Sequence, residues 1–446
     1  MINLCIMVCV LAISVGAANA ETCSLSLKDA IALSLGGNNL ARSAGFAADA
    51  ARQEVAISSS RYYPLISFEE ALVASNAPTR TFMMKLDQGR FTQNDFLLNN
   101  LNNPSVQHDF RTAFTLQQPI FDPSIAPARE MAVKEAEKQG LGFDAAREDT
   151  AFQAFRSFLE VRKSKAQLHA VEQAIADARE NMRLATVRTA AGVGLRSDEL
   201  RARTHLAMVE QQLITAQNNL TLSRMQLANV VGLKDGDSIE IDESTGTIMP
   251  AVPPEELVKV ALENRKELKQ SMAELEKSAA AVRLARSGYL PSVGTFATYQ
   301  MNSKDTPFGS DNDSWIAGIS LKWQLFDGFK RCREKDRAAA ARSAAAELLE
   351  NRAREVRYQV RESCLRREEM GKRLEVVRHS LEDAEETVRL LSKRFDNSLA
   401  TMLELLDAQT TLNQVRAGLV ESEANYTLAG GSVYYTAGIF LKEMLK

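Results

Sequence analysis

With 446 residues, 25% of them charged and 6% aromatic, the chain has an ordinary composition and enough length for one large or two moderate domains. A formal charge of -3 gives no basis for a nucleic-acid partner. The sequence has no Gly-rich phosphate loop, nucleophile elbow or paired acid–base constellation, and its 4 His lack metal-ligand spacing, so neither an enzyme nor a metal site is expected.

Residues 1–20 carry no charge, and an apolar run from Leu4 to Val15 leads to Ala18-Asn19-Ala20 before Glu21. That is the pattern of a secretory signal peptide; without a basic n-region, a short uncleaved anchor is the competing reading. Cleavage would remove Cys5 and Cys9 and leave Cys23, Cys332 and Cys364. The last two fall on one predicted helix, roughly 48 Å apart, so they read as isolated thiols. Ala20-Glu21-Thr22 before Cys23 is not a lipobox. No other segment approaches the ~20 apolar residues of a spanning helix, so any further membrane crossing must use strands.

Residues 21–231 form a first structural repeat. A helix opens at Leu27, a strand is expected over 62–75 around Tyr63-Pro64, and an Asn-rich loop covers about 76–107. In the next strand, about 108–118, Phe110, Thr112, Phe114 and Leu116 alternate with Asp109, Arg111, Thr115 and Gln117. Such alternation suits one face in lipid and one in water. A helical hairpin over about 124–231 follows. Its seam runs Leu168, Val171, Ile175, Ala178, Met182 and returns through Leu206, Val209, Leu213, Ala216, Leu220, Ser223 and Leu227, the alternating three-and-four spacing of a coiled coil. The absence of proline between Pro127 and Pro250 permits an arm of ~60 residues, roughly 90 Å long.

A polar linker at 232–256, with a short strand at Ser238–Ile241, leads to a second repeat over 257–430 and a tail at 431–446. After a helix, strands are expected at about 289–301 and 314–325, joined through Pro307 and Gly309. Trp315, Ala317, Ile319, Leu321 and Trp323 alternate with polar Ser320, Lys322 and Gln324. The two Trp read as interface aromatics. The hairpin over about 329–430 repeats the first seam 206 positions on, as Leu374, Val377, Leu381, Ala384, Val388, then Leu412, Val415, Leu419, Ser422, Tyr426 and Ala429. The turns pair without a gap, Arg188–Ala202 with Arg394–Ala408. The expected fold is thus an α+β membrane protein with internal duplication, built from long antiparallel coiled-coil hairpins and four β-strands. The competing reading is a periplasmic structural coiled-coil or adaptor protein whose β-hairpins pack on a soluble body.

Taken in order, Leu27-Lys28-Asp29-Ala30-Ile31-Ala32-Leu33, Gln118-Pro119-Ile120-Phe121-Asp122, Trp323-Gln324-Leu325-Phe326-Asp327-Gly328 and the two turn motifs resemble the TolC-like outer-membrane efflux proteins, or outer membrane factors. The likeness covers nearly all of the mature chain. It implies a homotrimer whose strands close one 12-stranded barrel in outer-membrane lipid of a Gram-negative-type cell, continued by an α-barrel through the periplasm. It further implies a passive exit duct, without cofactor, for small molecules or secreted cargo. The implied partners are a periplasmic adaptor (membrane fusion) protein and an inner-membrane transporter of the RND or ABC type. Independently of the likeness, a lone four-stranded sheet would leave open edges in lipid, and threefold closure removes them.

Glu404 and Asp407 lie three apart on one helix face. The resemblance places them in a cation-attracting ring at the channel entrance; the plainer reading is a solvated helix start, where acids suit the dipole. Gly192, Val193, Gly194 and Leu195, with Ser398 and Leu399, mark the tips that in the family meet the adaptor, although glycine there also serves chain reversal. Ser197, Asp198 and Phe395 are candidates for entrance closure. The Tyr and Arg that latch related tips correspond to Phe395 and Ala400, so packing or other polar pairs should hold a closed state.

Overall fold

A computed structural model describes residues 23–233, 239–242 and 253–445. The signal-peptide segment, Ser238 and most of the linker lie outside these. In chain order the elements are β1 (Cys23–Leu25), α1 (Leu27–Gly37), α2 (Asn39–Ser60), β2 (Leu65–Ser75), α3 (Pro78–Asp87), α4 (Leu98–Asn102), β3 (Gln107–Phe121), α5 (Ile125–Ala190), α6 (Arg196–Val231) and β4 (Ile239–Ile241). They continue as α7 (Pro254–Asn264), α8 (Lys266–Ser287), β5 (Ser292–Ser303), β6 (Asn312–Lys322), α9 (Lys330–Asp396), α10 (Met402–Thr436) and α11 (Phe440–Met444). At 72% helix over the described residues, with one four-stranded antiparallel sheet, the chain is of the α+β class expected. Helices α5 and α9 run 66 and 67 residues without a break, as the missing prolines permit. Cys332 and Cys364 both lie on α9 as free thiols.

The chain divides into two compact units. The first holds residues up to Ser43, Ala146–Arg265 and Val356 onward. Here β1 pairs in parallel with β4, and Ser26 and Asp29 cap α1 reciprocally. The predicted seam is buried where expected: Ala174, Ile175, Ala178 and Val209 form a cluster, flanked by Val171, Leu206 and Leu213. A larger cluster gathers Ile31, Phe155, Leu159 and Phe440. Helix α6 stops at Gly232, whose φ of 80° only glycine adopts freely. A Cβ there would also lie 2.4 Å from the Gly37 carbonyl oxygen.

The second unit holds Ala44–Ala145 and Lys266–Glu355, including the sheet β2-β3-β5-β6. Its register places Phe68 opposite Phe114, Phe114 opposite Tyr299, and Tyr299 opposite Trp315, so one aromatic row crosses all four strands on one face. The other face carries Glu69, Arg111, Thr115, Thr298, Gln300, Ser314, Ser320 and Lys322, together with the apolar Phe296 and Ile316. Thr115 and Thr298 join hydroxyls at 3.1 Å, and Arg111 meets Glu69 at 2.8 Å. On the apolar face Trp315, Ile319 and Leu321 are 77%, 73% and 65% exposed in the single chain. Among the described residues, β2 and β6 each pair on one side alone.

Three expectations need correction. The strands begin at Leu65 and Ser292, because Tyr62-Tyr63 and Tyr289-Leu290 form turns ahead of Pro64 and Pro291. β6 ends at Lys322, which leaves Trp323 outside the ladder, its indole N–H donating to the Tyr289 carbonyl at 3.2 Å. The segment 76–107, expected as loop, folds into α3, a 3-10 turn at Gln93–Phe96 and α4. Pro78 starts α3, and Phe82, Phe91 and Phe96 stack edge-to-face in a small, partly exposed cluster.

Candidate functional site

The two hairpin turns lie in the first unit and share one backbone design. Gly192 N–H donates to Thr189 O at 3.1 Å and Val193 N–H to Arg188 O at 3.1 Å; in the second turn Ser398 N–H donates to Phe395 O at 2.9 Å and Leu399 N–H to Arg394 O at 2.7 Å. Gly192 adopts φ 75° and Ser398 φ 60°. The second tip therefore holds a serine in a left-handed conformation that favours glycine.

Arg188 explains how that serine is used. It reaches from the end of α5 to the other tip, donating through Nη1 to the Phe395 carbonyl at 2.8 Å and through Nη2 to Ser398 Oγ at 2.9 Å. Its guanidinium also lies 4.4 Å from the centre of the Phe395 ring. Phe395 is buried beneath it among Ala185, Ala202, Met402, Leu405 and Leu406. Apolar packing and a planar, fixed cation thus join the tips of the two hairpins. A second tie, higher up, is the buried pair of Asn181 and Gln409, 3.2 Å apart across α5 and α10. Arg394, the counterpart of Arg188, bonds instead to Leu399 O of its own turn, at 3.3 Å.

Of the three closure candidates, only Phe395 enters this contact. Ser197 is exposed and Asp198 half-buried. The neighbouring acid, Glu199, is the buried one, joined to Arg196 and, at 3.2 Å, to Arg203. Sequence reasoning missed Arg188, although an Arg four residues before the left-handed position recurs in both turns.

Glu404 closes a capping box, accepting from Thr401 N–H at 2.7 Å and Thr401 Oγ1–H at 2.9 Å. The acid thus sits at a capped helix start. It does not remove the charge: the backbone N–H and hydroxyl of Thr401 hold the carboxyl below its ordinary value of 4.5, aided by Arg394. Asp407 is exposed one helical turn further along α10. Val193, Leu195 and Leu399 are 75%, 67% and 68% exposed at the tips. Gly194 serves a close approach of the backbone, since a Cβ on it would lie 2.9 Å from the Thr189 nitrogen.

Residues 31–233 and 257–438 match the outer membrane efflux protein family. The chain belongs to that family, whose members are transport proteins rather than enzymes. It is similar to the nodulation protein T of Rhizobium leguminosarum bv. trifolii, 22% identical over 169 residues, and to the outer membrane protein OprJ of Pseudomonas aeruginosa, 27% identical over 175 residues. These matches cover 36% and 38% of this chain, and 35% and 36% of the relatives' own lengths. In fold it resembles the CmeC outer membrane channel of Campylobacter jejuni, with a TM-score of 0.80 at 15% identity, covering 94% of this chain and 89% of that one.

Proposed function

We propose that three copies of the chain form an exit duct through the outer membrane. The observation that carries this is the sheet: one face aromatic and exposed, the other mainly polar, and two edges without a partner strand among the described residues. An exposed apolar face of this size needs a cover, and lipid with a neighbouring copy at each edge supplies it without unpaired backbone. Twelve strands then close around the polar faces, and the helical hairpins continue the conduit into the periplasm. The exposed apolar tips at Val193, Leu195 and Leu399 suit a periplasmic adaptor, with Gly192, Gly194 and Ser398 shaping the turns that present them. Cargo, whether small toxic compounds or secreted molecules, is selected by the inner-membrane transporter, and the duct conducts it passively. Washing isolated membranes tests the placement. The protein should resist high salt and leave only with detergent; release by salt alone would support a peripheral coiled-coil protein instead.

In the trimer, Glu404 and Asp407 supply six carboxylates near the entrance, which attract cations. Because Glu404 is held below its ordinary value, its charge and the capping contribution to stability are present above the unfolded value and are lost only as pH falls through the depressed one. Cation selectivity in planar bilayers should accordingly persist from pH 7 to about 4.5. Glu404→Gln with Asp407→Asn should reduce it throughout that range. Unchanged selectivity in that double variant would remove the ring from the conduction path.

A further inference from the structure

We propose that residues 76–106 are a strap folded across the polar face of the sheet, and that three copies of it set the size limit of the duct's outer mouth. The inference rests on reading that face as the lumen. The segment has its own internal contacts, in which the partly exposed Phe82, Phe91 and Phe96 stack together and Lys85 pairs with Asp95 at 2.7 Å. It is also fastened. Thr81 and Met84 of α3 and Gln88 at its C-terminal cap are all buried, and α3 packs against both β3 and β6.

The fastening centres on Asp109. This β3 residue lies on the same face as Arg111 and Thr115 and is 6% exposed. Its Oδ1 accepts from Gln88 Nε2 at 2.8 Å and its Oδ2 from Asn302 Nδ2 at 2.8 Å. Gln88 and Asn302 are 1% and 2% exposed. Gln88 Nε2 also donates to His108 O at 2.8 Å, and its Oε1 accepts from Arg90 Nε at 2.8 Å. One carboxylate thus ties the strap to two neighbouring strands through amides. Replacing it would leave the buried amides of Gln88 and Asn302 short of acceptors, which loosens the strap rather than merely trimming it. The opposite loop, at Phe308, lies on the apolar face: its ring stacks on Phe68 and its N–H donates to Glu70 at 3.4 Å. Of the two strand connections, only the strap covers the polar side.

Thiol accessibility from outside intact cells tests the proposal without depending on the periplasmic entrance. The full chain would carry Thr115→Cys, deeper along the polar face than Asp109, with Cys23, Cys332 and Cys364 changed to Ser. A small methanethiosulfonate and a maleimide carrying a polyethylene glycol of several kilodaltons are added separately. The small reagent should label Thr115→Cys with the strap intact and the large one should not. Adding Asp109→Ala, or replacing 77–105 by a short Gly-Ser turn, should speed large-reagent labelling at least tenfold at equal outer-membrane abundance. Equal large-reagent rates with and without the strap would overturn the proposal and leave the duct standing. Failure of even the small reagent to reach Thr115→Cys in the shortened chain would sink the lumen reading, and the proposal with it.

Discussion

Replacing Arg188 by Ala should shift the channel strongly toward its open state, raising mean conductance several-fold in planar bilayers. The guanidinium donates two hydrogen bonds to the second tip and stacks on Phe395. Hydrogen bonds from a charged group contribute about 1.5–3 kcal/mol each when sheltered, and a partly solvated cation over an aromatic ring about 0.5–1 kcal/mol. Arg188 is half-buried, so a combined loss of about 2 kcal/mol is a moderate expectation, and it would change the open-to-closed ratio on the order of 30-fold. Arg188→Lys should fall between the two, because an ammonium cannot fork between the Phe395 carbonyl and Ser398 Oγ while lying flat on the ring. Arg394→Ala and Asp198→Ala are the controls. Neither side chain bridges the tips, so both variants should conduct like the original. If Asp198→Ala opened the channel while Arg188→Ala did not, closure would rest on the aspartate.

Ile319→Arg should abolish outer-membrane insertion, whereas Ser320→Arg should be tolerated. The two residues are neighbours at the same depth in β6, and both are exposed in the single chain. In water the two arginines would be equally harmless. With the apolar face in lipid, the first puts a cation into hydrocarbon at a cost on the order of 2 kcal/mol per chain, incurred three times in a trimer. On the proposed reading the second would point into the aqueous lumen, on the sheet face that carries Lys322. The amount of each variant in the heat-resistant outer-membrane fraction measures the difference. Equal insertion of both would mean that Ile319 does not face lipid.

Much of this structure is legible in the sequence because two periodicities carry it. The three-and-four ladder marks the seam buried around Ile175 and Val209, and the alternation around Phe114 and Trp315 marks the two faces of the sheet. Both are local patterns fixed by backbone geometry. The features that escaped depend on contacts between distant segments. The strap has no long apolar stripe; its aromatic cluster assembles from Phe82, Phe91 and Phe96, and its anchor is a strand residue, Asp109. Arg188 resembles an ordinary helix-end cation until the second tip is placed beside it. Glu404 was half legible: Thr401-Met402-Leu403-Glu404 is the spacing of a capping box, which accounts for its geometry before any role in conduction.

Electron cryo-microscopy of the complex extracted from outer membranes in mild detergent addresses the three-chain duct most directly. We expect threefold particles with a single transmembrane barrel of 12 strands, β6 of each chain paired with β2 of the next, and the hairpins continuing the wall below it. Particles containing one chain, or a trimer held together by helices with its sheets outside any shared barrel, would contradict the duct.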